Sequence, residues 1–472
     1  MPAQADPRAS ELARSKPEVE RQLAGLLFGQ APRAVFAALQ EQHREGYERE
    51  LVQELDVLTG RGDRGEDLAQ AVRPAASLET STIPLVDFGL SELQLAVRRE
   101  AQTIAARFGL DYWRAHDREA GYPWEFVHAF GEAGWLGVVI PETYGGAGLG
   151  VVEAGLLLQA VGRSGAGTSG ASAIHFYIFP LTPIIRHGSE HLKQTYLPRA
   201  ARGELLCAFG VTEPTAGTDT SRISTRAERR GERWIINGQK VWTTNAQHAD
   251  RILLLARTSA RRDEAPLDGL TLFFADFDRK ALTVRTIDKL GRAAVDSNEV
   301  FIDDLEVPDE DVVGEVGRGF YHLLDGLNPE RVVSALEAIG MGQWAIDYAS
   351  TYARDRRVFD RPIGQNQAVA HPLAHAWAEL EAAELLAYKA AWLFDRGLPC
   401  GAESNAAKLL GGDAGFRACD AALQTLGGFG YSREFHVERL WREVRLFRIA
   451  PITQEMVLNY LSERVLGLPR SY

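Results

Sequence analysis

Two short polar segments carry the residues whose types and spacing best suit the binding of a flat, polar molecule. The first reads FGVTEPTAGTD over residues 209–219 and the second reads KVWTTNA over residues 240–246, and both are predicted to be turn-rich loops. Gly217 predicts a tight turn, because glycine tolerates dihedral angles that other residues avoid. Trp242 offers an aromatic face and Thr244 a hydroxyl. Either segment alone is typical of a hairpin turn, but together they predict a seat for a planar ligand.

A later segment reads GLNPER over residues 326–331 and contains the acidic residue Glu330. Pro329 predicts the start of a helix, which would place Glu330 in the first turn. An acidic residue in a first helical turn is common for the helix dipole alone. The pattern by itself therefore assigns no chemistry to Glu330.

The distribution of apolar residues divides the chain into helical and strand-rich stretches. Residues 91–203 follow a helical pattern, residues 205–314 alternate and are rich in β-branched side chains, and helices return from Gly317. This order predicts an α+β fold with segregated domains. The predicted units are an N-terminal helical extension and linker (1–84), an N-terminal α-helical domain (85–204), a middle β-domain (205–316) and a C-terminal helical bundle (317–472).

Composition and charge argue against several classes of protein. The 472 residues carry a formal net charge of −12, which implies no basic face for a nucleic acid. No apolar run reaches membrane-spanning length, and the scattered histidines have no metal-ligand spacing. Three widely spaced cysteines are typical of reduced thiols. The first residues lack the apolar core of a secretory signal, so a cytoplasmic protein is expected.

The two polar segments, in this order and spacing, resemble the flavin-binding middle domain of the acyl-CoA dehydrogenases. Two later segments, RRVFDRPI over 356–363 and LQTLGGFGY over 423–431, resemble family segments that reach the FAD of a neighbouring subunit. The resemblance covers about residues 86–472. It implies an N-terminal helical domain, a middle β-domain and a C-terminal four-helix bundle, with a homodimer or homotetramer as the assembly.

The resemblance assigns FAD contacts residue by residue. In the two polar segments these residues are Phe209, Val211, Thr212, Gly217, Thr218, Trp242 and Thr244. In the C-terminal domain they are Arg356, Phe359, Gln367, Gln424, Gly428 and Thr453. Thr218 would also lie near the bound thioester. Asp360 stands where the family usually has Gly after the Phe, which adds a negative charge near a dinucleotide.

The position of the catalytic base departs from the common family pattern. Most members carry a Glu in a late loop, which here reads RIAPITQE over residues 448–455, and Pro451 occupies the Glu position. A minority, resembling isovaleryl-CoA and long-chain acyl-CoA dehydrogenases, carries it on the first bundle helix, where Glu330 matches. The resemblance therefore implies Glu330 as base and Arg331 as a neighbouring structural, electrostatic or substrate-binding partner. Glu455 is a weaker candidate.

The implied reaction is FAD-dependent α,β-dehydrogenation of an acyl thioester, from acyl-CoA to trans-2-enoyl-CoA. Glu330 would remove the α-proton while hydride passes to flavin N5. The substrate would be an acyl-CoA or an acyl carrier protein thioester, and electrons would pass to an electron-transfer flavoprotein or a similar acceptor. Two alternatives keep the fold: a divergent flavoenzyme of the oxygen-using oxidase, monooxygenase or desulfinase type, and a flavin-fold interaction protein.

Overall fold

The computed structural model describes residues 89–470, so the predicted extension and linker over 1–84 lie outside the described residues. The first part of the described chain is helical. Its α-helices are α1 (Glu92–Ala105), α2 (Leu110–Glu119), α3 (Trp124–Glu132), α4 (Val151–Val161), α5 (Gly167–Ile178), α6 (Thr182–His187) and α7 (Glu190–Ala201). Every residue of α4 is buried, which follows from a sequence that is apolar on nearly all sides.

The middle part of the chain is a mixed sheet. Its strands are β1 (Cys207–Gly210), β2 (Arg226–Arg230), β3 (Arg233–Thr244), β4 (Arg251–Arg257), β5 (Leu270–Asp276), β6 (Leu282–Thr286), β7 (Ser297–Pro308) and β8 (Val312–Val313). In space the order is β6-β7-β3-β2-β4-β5-β8, and β1 pairs in parallel with β4. β4 and β5 are buried along almost their whole length, which explains their continuous apolar sequences.

The last part of the chain returns to helices. Its elements are α8 (Gly319–Asp355), the short strands β9 (Arg357–Val358) and β10 (Arg361–Pro362), α9 (Gln367–Asp395), α10 (Gly401–Leu426), α11 (Val437–Val444) and α12 (Gln454–Tyr460). The helices α8, α9 and α10 pack against one another. A Cβ on Gly415 would lie 2.4 Å from the carbonyl oxygen of Ala338, so glycine is required where α8 meets α10.

The apolar core explains how the two helical parts support the sheet between them. One large cluster joins the early helices to the bundle, and it includes Leu158, Leu336 and Leu380. Two further clusters contain the apolar side chains of the sheet. The predicted α+β class with a middle sheet between helical parts is confirmed, whereas the domain boundaries stay predictions.

Two local predictions are wrong. Pro329 does not begin a helix, because α8 starts at Gly319 and Pro329 lies inside it. The helix continues across the proline because Leu323 and Val332, on either side of it, are buried in the core. The second polar segment is not a loop along most of its length, since residues 240–244 form the end of β3.

Features that the sequence excluded can be compared with the described residues. Within 89–470, no helix is long and apolar enough to cross a membrane. No group of three or more His, Cys, Asp or Glu side chains in this part of the chain could hold a metal ion. All three cysteines are free and buried.

Candidate active site

The end of β3 forms one part of the predicted flavin seat. The pairing of β3 with β7 shifts register between Lys240 and Thr243, which marks a β-bulge. Within this bulge Trp242 has a φ of 61° and is 57% exposed. Bulky residues rarely adopt this conformation, so the strained backbone and the exposed indole together indicate a surface that receives a ligand. Thr244 is buried, and Arg292 Nη2 donates a hydrogen bond of 3.2 Å to its hydroxyl.

The first polar segment leaves β1 and becomes progressively exposed. Its predicted cofactor residues are the buried Val211, the half-buried Phe209 and Thr212, and the exposed Gly217 and Thr218. The prediction that Gly217 supplies an unusual turn geometry is wrong, because its φ lies outside the left-handed region. Backbone hydrogen bonds between Glu213 and Ala216 close a turn over residues 213–216 instead, before Gly217 is reached. A Cβ at Gly217 would meet nothing within 4 Å, so this part of the segment faces open space.

A buried ion pair ties the two polar segments together. Lys240 Nζ lies 2.9 Å from Glu213 Oε1, and both side chains are almost completely buried. Lys240 also donates to the carbonyl oxygen of Val211 at 3.0 Å. Burial raises the pKa of Glu213, but Lys240 and the surrounding donors outweigh it and lower the pKa to about 2. The carboxylate therefore stays ionised and holds the first segment against the strand that carries the second.

Polar atoms without partners cluster beside the bulge. Thr243 Oγ1 and both amide atoms of Asn245 are buried and have no hydrogen-bond partner within the described part of the chain. Buried polar groups nearly always have hydrogen-bond partners, so a cluster of buried groups without them indicates a site that is not shaped by internal packing alone. Asn245 also has a positive φ of 64°. The end of β3 thus combines backbone at positive φ with buried polar atoms that lack partners in the described part of the chain.

Glu330 lies about three turns into α8, on the face that packs against the corner after α5. Gly326 is four residues earlier on the same face, and a Cβ there would lie 3.8 Å from Phe179 Cε2. The ring of Phe179 in turn lies 5.0 Å from the ring of Phe209. The helix face that carries the candidate base is therefore connected to the first flavin segment through Phe179.

The charges around Glu330 suit a general base. Burial raises the pKa of Glu330 to about 7, while His175 and Arg331 oppose this rise and Glu337 adds to it. A carboxyl group that titrates near neutral pH is matched to proton abstraction at that pH. Because Glu330 does not lie in the first turn of α8, the helix dipole does not explain its presence.

A second buried pair lies on the same face of α8. His175 Nδ1, on α5, is 2.6 Å from Glu337 Oε1, and both side chains are almost fully buried. Burial lowers the pKa of His175, but the attraction of Glu337 and the hydrogen bond outweigh it and raise the pKa above its ordinary value. Glu337 follows Glu330 by seven residues, so the two carboxylates project from one side of the helix.

Arg331 is placed beside the candidate base. Its Nη1 donates to Asn328 Oδ1 at 2.8 Å, and its Nε is buried without a partner within residues 89–470. Burial lowers the pKa of Arg331, and Glu330 opposes that effect. The guanidinium is therefore held by α8 itself and counterbalances the negative charge of Glu330.

A separate cavity of about 620 Å³ contains part of the predicted C-terminal cradle. Arg356 and Gly428 both line it, together with Gly427. The Arg356 guanidinium lies 5.9 Å from the ring centroid of Phe429. A Cβ on Gly427 or Gly428 would meet nothing within 4 Å, so the backbone is open to close approach. The structure thus brings Arg356 and Gly428 together, although they are far apart in sequence.

The hairpin β9–β10 carries the predicted adenine contact. Its two turn residues, Phe359 and Asp360, have φ values of 53° and 62°, as two-residue hairpins of the primed type require. Asp tolerates this conformation, which explains how it can stand where the family usually has Gly. Phe359 is 94% exposed. Gln367 begins α9 and Gln424 lies near the end of α10, both exposed.

The late loop has no acidic side chain at the usual base position. Pro451 is exposed, and Thr453 caps α12 by accepting a hydrogen bond of 3.4 Å from the Met456 amide. The buried Lys408 donates a hydrogen bond to the carbonyl oxygen of Ile452, which anchors the loop to α10. Glu455 is exposed in the first turn of α12, where the dipole explains an acidic residue.

Sequence reasoning missed the buried charges that support the site. No motif assigned a role to Glu213 or Lys240 inside the two segments, and none singled out His175. The available signal was the same in each case: a charged or titratable residue inside an apolar run needs a partner when it is buried. His175 lies within ASAIHFYIF, and its partner Glu337 is 162 residues away.

The described residues fit a flavin dinucleotide on chemical grounds. The strained, exposed indole of Trp242 offers a flat apolar face, and the neighbouring segments supply hydroxyl and amide groups for a polar edge. The cavity with Arg356 and the two glycines suits a phosphate, because it combines a guanidinium with accessible backbone.

Comparisons with known proteins agree with this fit. Models of the N-terminal, middle and C-terminal domains of the acyl-CoA dehydrogenases match residues 91–204, 208–305 and 317–466. The chain is 36% identical over 389 residues to acyl-CoA dehydrogenase FadE12 of Mycobacterium tuberculosis, a match that spans 81% of this chain and 98% of that protein.

Two solved structures extend the comparison to three dimensions. Butyryl-CoA dehydrogenase of Megasphaera elsdenii has a TM-score of 0.77 at 28% identity, covering 80% of this chain and 100% of the other. A glutaryl-coenzyme A dehydrogenase in complex with glutaryl-CoA also has a TM-score of 0.77, at 31% identity, covering 82% and 98%. The chain therefore belongs to the acyl-CoA dehydrogenase family, whose members are FAD-binding oxidoreductases.

Proposed function

We propose that the protein oxidises an acyl-CoA thioester to its trans-2-enoyl thioester, with Glu330 as the base that removes the α-proton. The observation that carries this proposal is the position of Glu330. It lies on the face of α8 that contacts Phe179, which packs on Phe209 of the flavin segment. Its pKa, raised to about 7 by burial, is matched to proton abstraction near neutral pH.

The reaction breaks two C–H bonds and forms one C=C bond. The Glu330 carboxylate accepts the α-proton, and the second hydrogen leaves the β-carbon as hydride. Bound FAD supplies the two-electron acceptor for that hydride. Glu330 is half-buried, and Arg331 balances its charge when it is ionised.

The site residues divide into two groups on this proposal. Those of the middle domain hold the flavin ring and its attached tail: Phe209, Val211, Thr212, Gly217, Thr218, Trp242 and Thr244. Those of the helical bundle hold the dinucleotide of a second copy: Arg356, Phe359, Gln367, Gln424 and Gly428. Thr453, in the late loop, also lies near the FAD on this proposal. The strained and exposed Phe359 supports the second group, because an isolated chain gains nothing from a bulky side chain held in this way. The assembly would be a homodimer or homotetramer.

Substrate and electron partner follow from the same proposal. The carrier of the acyl group would be CoA or an acyl carrier protein, with Thr218 beside the thioester. Electrons would leave the reduced cofactor for an electron-transfer flavoprotein or a similar acceptor. The exposed Gly217 and Thr218 support an approach from solvent at this end of the seat.

Anaerobic reduction of the purified holoenzyme tests the proposal. Straight-chain, branched and aromatic acyl-CoAs are mixed with the protein, and loss of the oxidised-flavin absorbance is followed. We expect at least one of them to bleach the flavin and to yield the trans-2-enoyl product. Consumption of oxygen at each turnover would instead support an oxidase or monooxygenase. A protein that takes up no flavin would contradict both and leave an interaction role.

A further inference from the structure

The buried pair His175–Glu337 is not required by the reaction as written, yet it lies on the face of α8 that carries Glu330. Its Nδ1–Oε1 distance is 2.6 Å, and neither side chain has appreciable exposure. Burying such a pair is costly because both charges are removed from water. Breaking it is costly because one charge is then left buried without its partner. The pair also lies two helical turns from the candidate base, on the same face of α8.

The geometry places the pair within the electrostatic reach of Glu330. Glu337 is two helical turns beyond Glu330 on the same face of α8. His175 belongs to α5, and its ring lies 5.5 Å from that of Phe179, the residue that contacts both α8 and Phe209. The pair therefore joins α5 to α8 on the face that carries Glu330.

We propose that His175 and Glu337 are positioning residues for Glu330: their buried ion pair keeps a positive imidazolium on the side of α8 that carries Glu330 and so preserves the form of Glu330 that accepts a proton. This inference rests on the proposed role of Glu330 as base. Glu337 keeps His175 protonated, and His175 in turn favours the ionised state of Glu330. Glu337 acts on Glu330 directly in the opposite sense, but more weakly than His175 does.

Within residues 89–470, the charged groups that act on Glu330 and His175 are consistent with that order of effects. Glu330 is faced by His175 from α5 and by Arg331 and Glu337 from α8. His175 is faced by the carboxylates of Glu330 and Glu337. It is also faced by Arg292, from the connection between β6 and β7, which lowers the pKa of His175. The charges that act on Arg292 are Asp296, Glu337, Glu443 and Lys289.

The substitution His175→Gln tests the inference in the FAD-loaded enzyme. Removal of the imidazolium leaves a net like charge beside Glu330, so the acidic limb of the pH profile for anaerobic flavin reduction should move to higher pH by about one unit or more. A merely structural role would lower the rate at every pH and leave the limb in place.

A second readout is independent of turnover. Infrared difference spectroscopy without substrate can follow the protonated-carboxyl band that Glu330→Gln removes, and its pH midpoint reports Glu330 itself. We expect this midpoint to rise in His175→Gln in parallel with the kinetic limb. An unchanged midpoint would overturn the inference.

The control is the other His–carboxylate pair of α8. His187 Nε2 lies 2.7 Å from Asp325 Oδ2, and His187 is absent from the charges that act on Glu330. His187→Gln should leave both the limb and the infrared midpoint unchanged. An equal shift in His187→Gln would mean that the effect is not specific to the buried pair.

The double variant His175→Gln/Glu337→Gln keeps the test decisive if the single variant fails to fold, since it leaves no unpaired buried charge. Its limb should lie above that of the wild type but below that of His175→Gln, because the weaker effect of Glu337 is removed as well. A limb at the wild-type position would overturn the inference. If the proposed role of Glu330 as base were wrong, the result would be a different one: substrate would reduce the flavin of Glu330→Gln at a rate near that of the wild type.

Discussion

Lys240 Nζ and Glu213 Oε1 are 2.9 Å apart in an almost water-free environment, and each belongs to one of the two segments that form the flavin seat. Glu213 also accepts hydrogen bonds from the amides of Ser224 and Thr225, at 2.7 and 2.9 Å. One side chain thus fixes three stretches of backbone. The two segments of the flavin seat are therefore joined by an ion pair that has no direct part in the chemistry.

The pair predicts a large effect on stability when one partner is removed. Lys240→Met leaves the Glu213 carboxylate buried without its counter-ion, so the free energy of unfolding should fall by about 3–5 kcal/mol. Urea denaturation of the apoprotein measures it. The double variant Lys240→Met/Glu213→Gln should lose less than the sum of the single variants, because the partners act as a unit. Arg202→Met, in an exposed pair with Glu204, is the matched control, and a comparable loss there would contradict the account.

Trp242 predicts opposite effects on cofactor binding and on stability. In Trp242→Gly the aromatic face is lost, so the Kd for FAD should rise about tenfold or more, equivalent to about 1.4 kcal/mol. Glycine relieves the backbone at φ 61°, so the apoprotein should melt at the wild-type temperature or above. Trp392→Ala, an exposed indole on α9, should not change the Kd. Equal affinity in Trp242→Gly and the wild type would remove Trp242 from the seat.

The shared cradle predicts complementation between two defective proteins. Trp242→Gly damages the seat of one protomer, whereas Arg356→Ala damages the part that is proposed to serve a neighbour. A co-assembled mixture should therefore recover flavin binding and reduction at the subunit pairs that combine the two intact halves. Fluorescence of bound flavin and anaerobic bleaching would measure that recovery. No recovery in verified hybrid oligomers would mean that both groups act within one chain.

Glu330 predicts a pH-dependent stability difference whose sign is fixed by its raised pKa. Below about pH 4.5 the carboxyl group is protonated in both folded and unfolded chains, so Glu330→Gln should melt like the wild type. Above about pH 7 the folded wild type holds a half-buried carboxylate that the unfolded chain solvates better, so the variant should have the higher Tm. A variant less stable than the wild type above pH 7 would contradict the burial of this group.

The parts of the site that could be predicted from sequence are those whose residues lie close together in the chain. Trp242 and Thr244 occupy one strand end, and Phe359 and Asp360 one hairpin turn, so local motifs identify them. The supporting pairs were missed because they join distant segments: Lys240 and Glu213 are 27 residues apart, and His175 and Glu337 are 162 apart. Only the fold brings such charges together.

Local propensity also failed at Pro329, and for a physical reason. Proline favours the first turn of a helix, but tertiary burial of the residues around it keeps α8 continuous from Gly319. The interior position of Glu330 in α8 favours a role in chemistry, since the dipole explains an acid in the first turn of a helix but not one three turns into it. Segment order, by contrast, was enough to predict the α+β layout.

The most direct test of the central claim is anaerobic single-turnover reduction of Glu330→Gln by a substrate that bleaches the wild type. Loss of a positioned general base should slow reduction by about 10²- to 10⁴-fold while FAD stays bound. Glu455→Gln, an exposed acidic residue near the late loop, is the matched control and should reduce at the wild-type rate. Glu330 is not the base if the flavin of Glu330→Gln is reduced as fast as that of the wild type, or if the flavin of Glu455→Gln is no longer reduced.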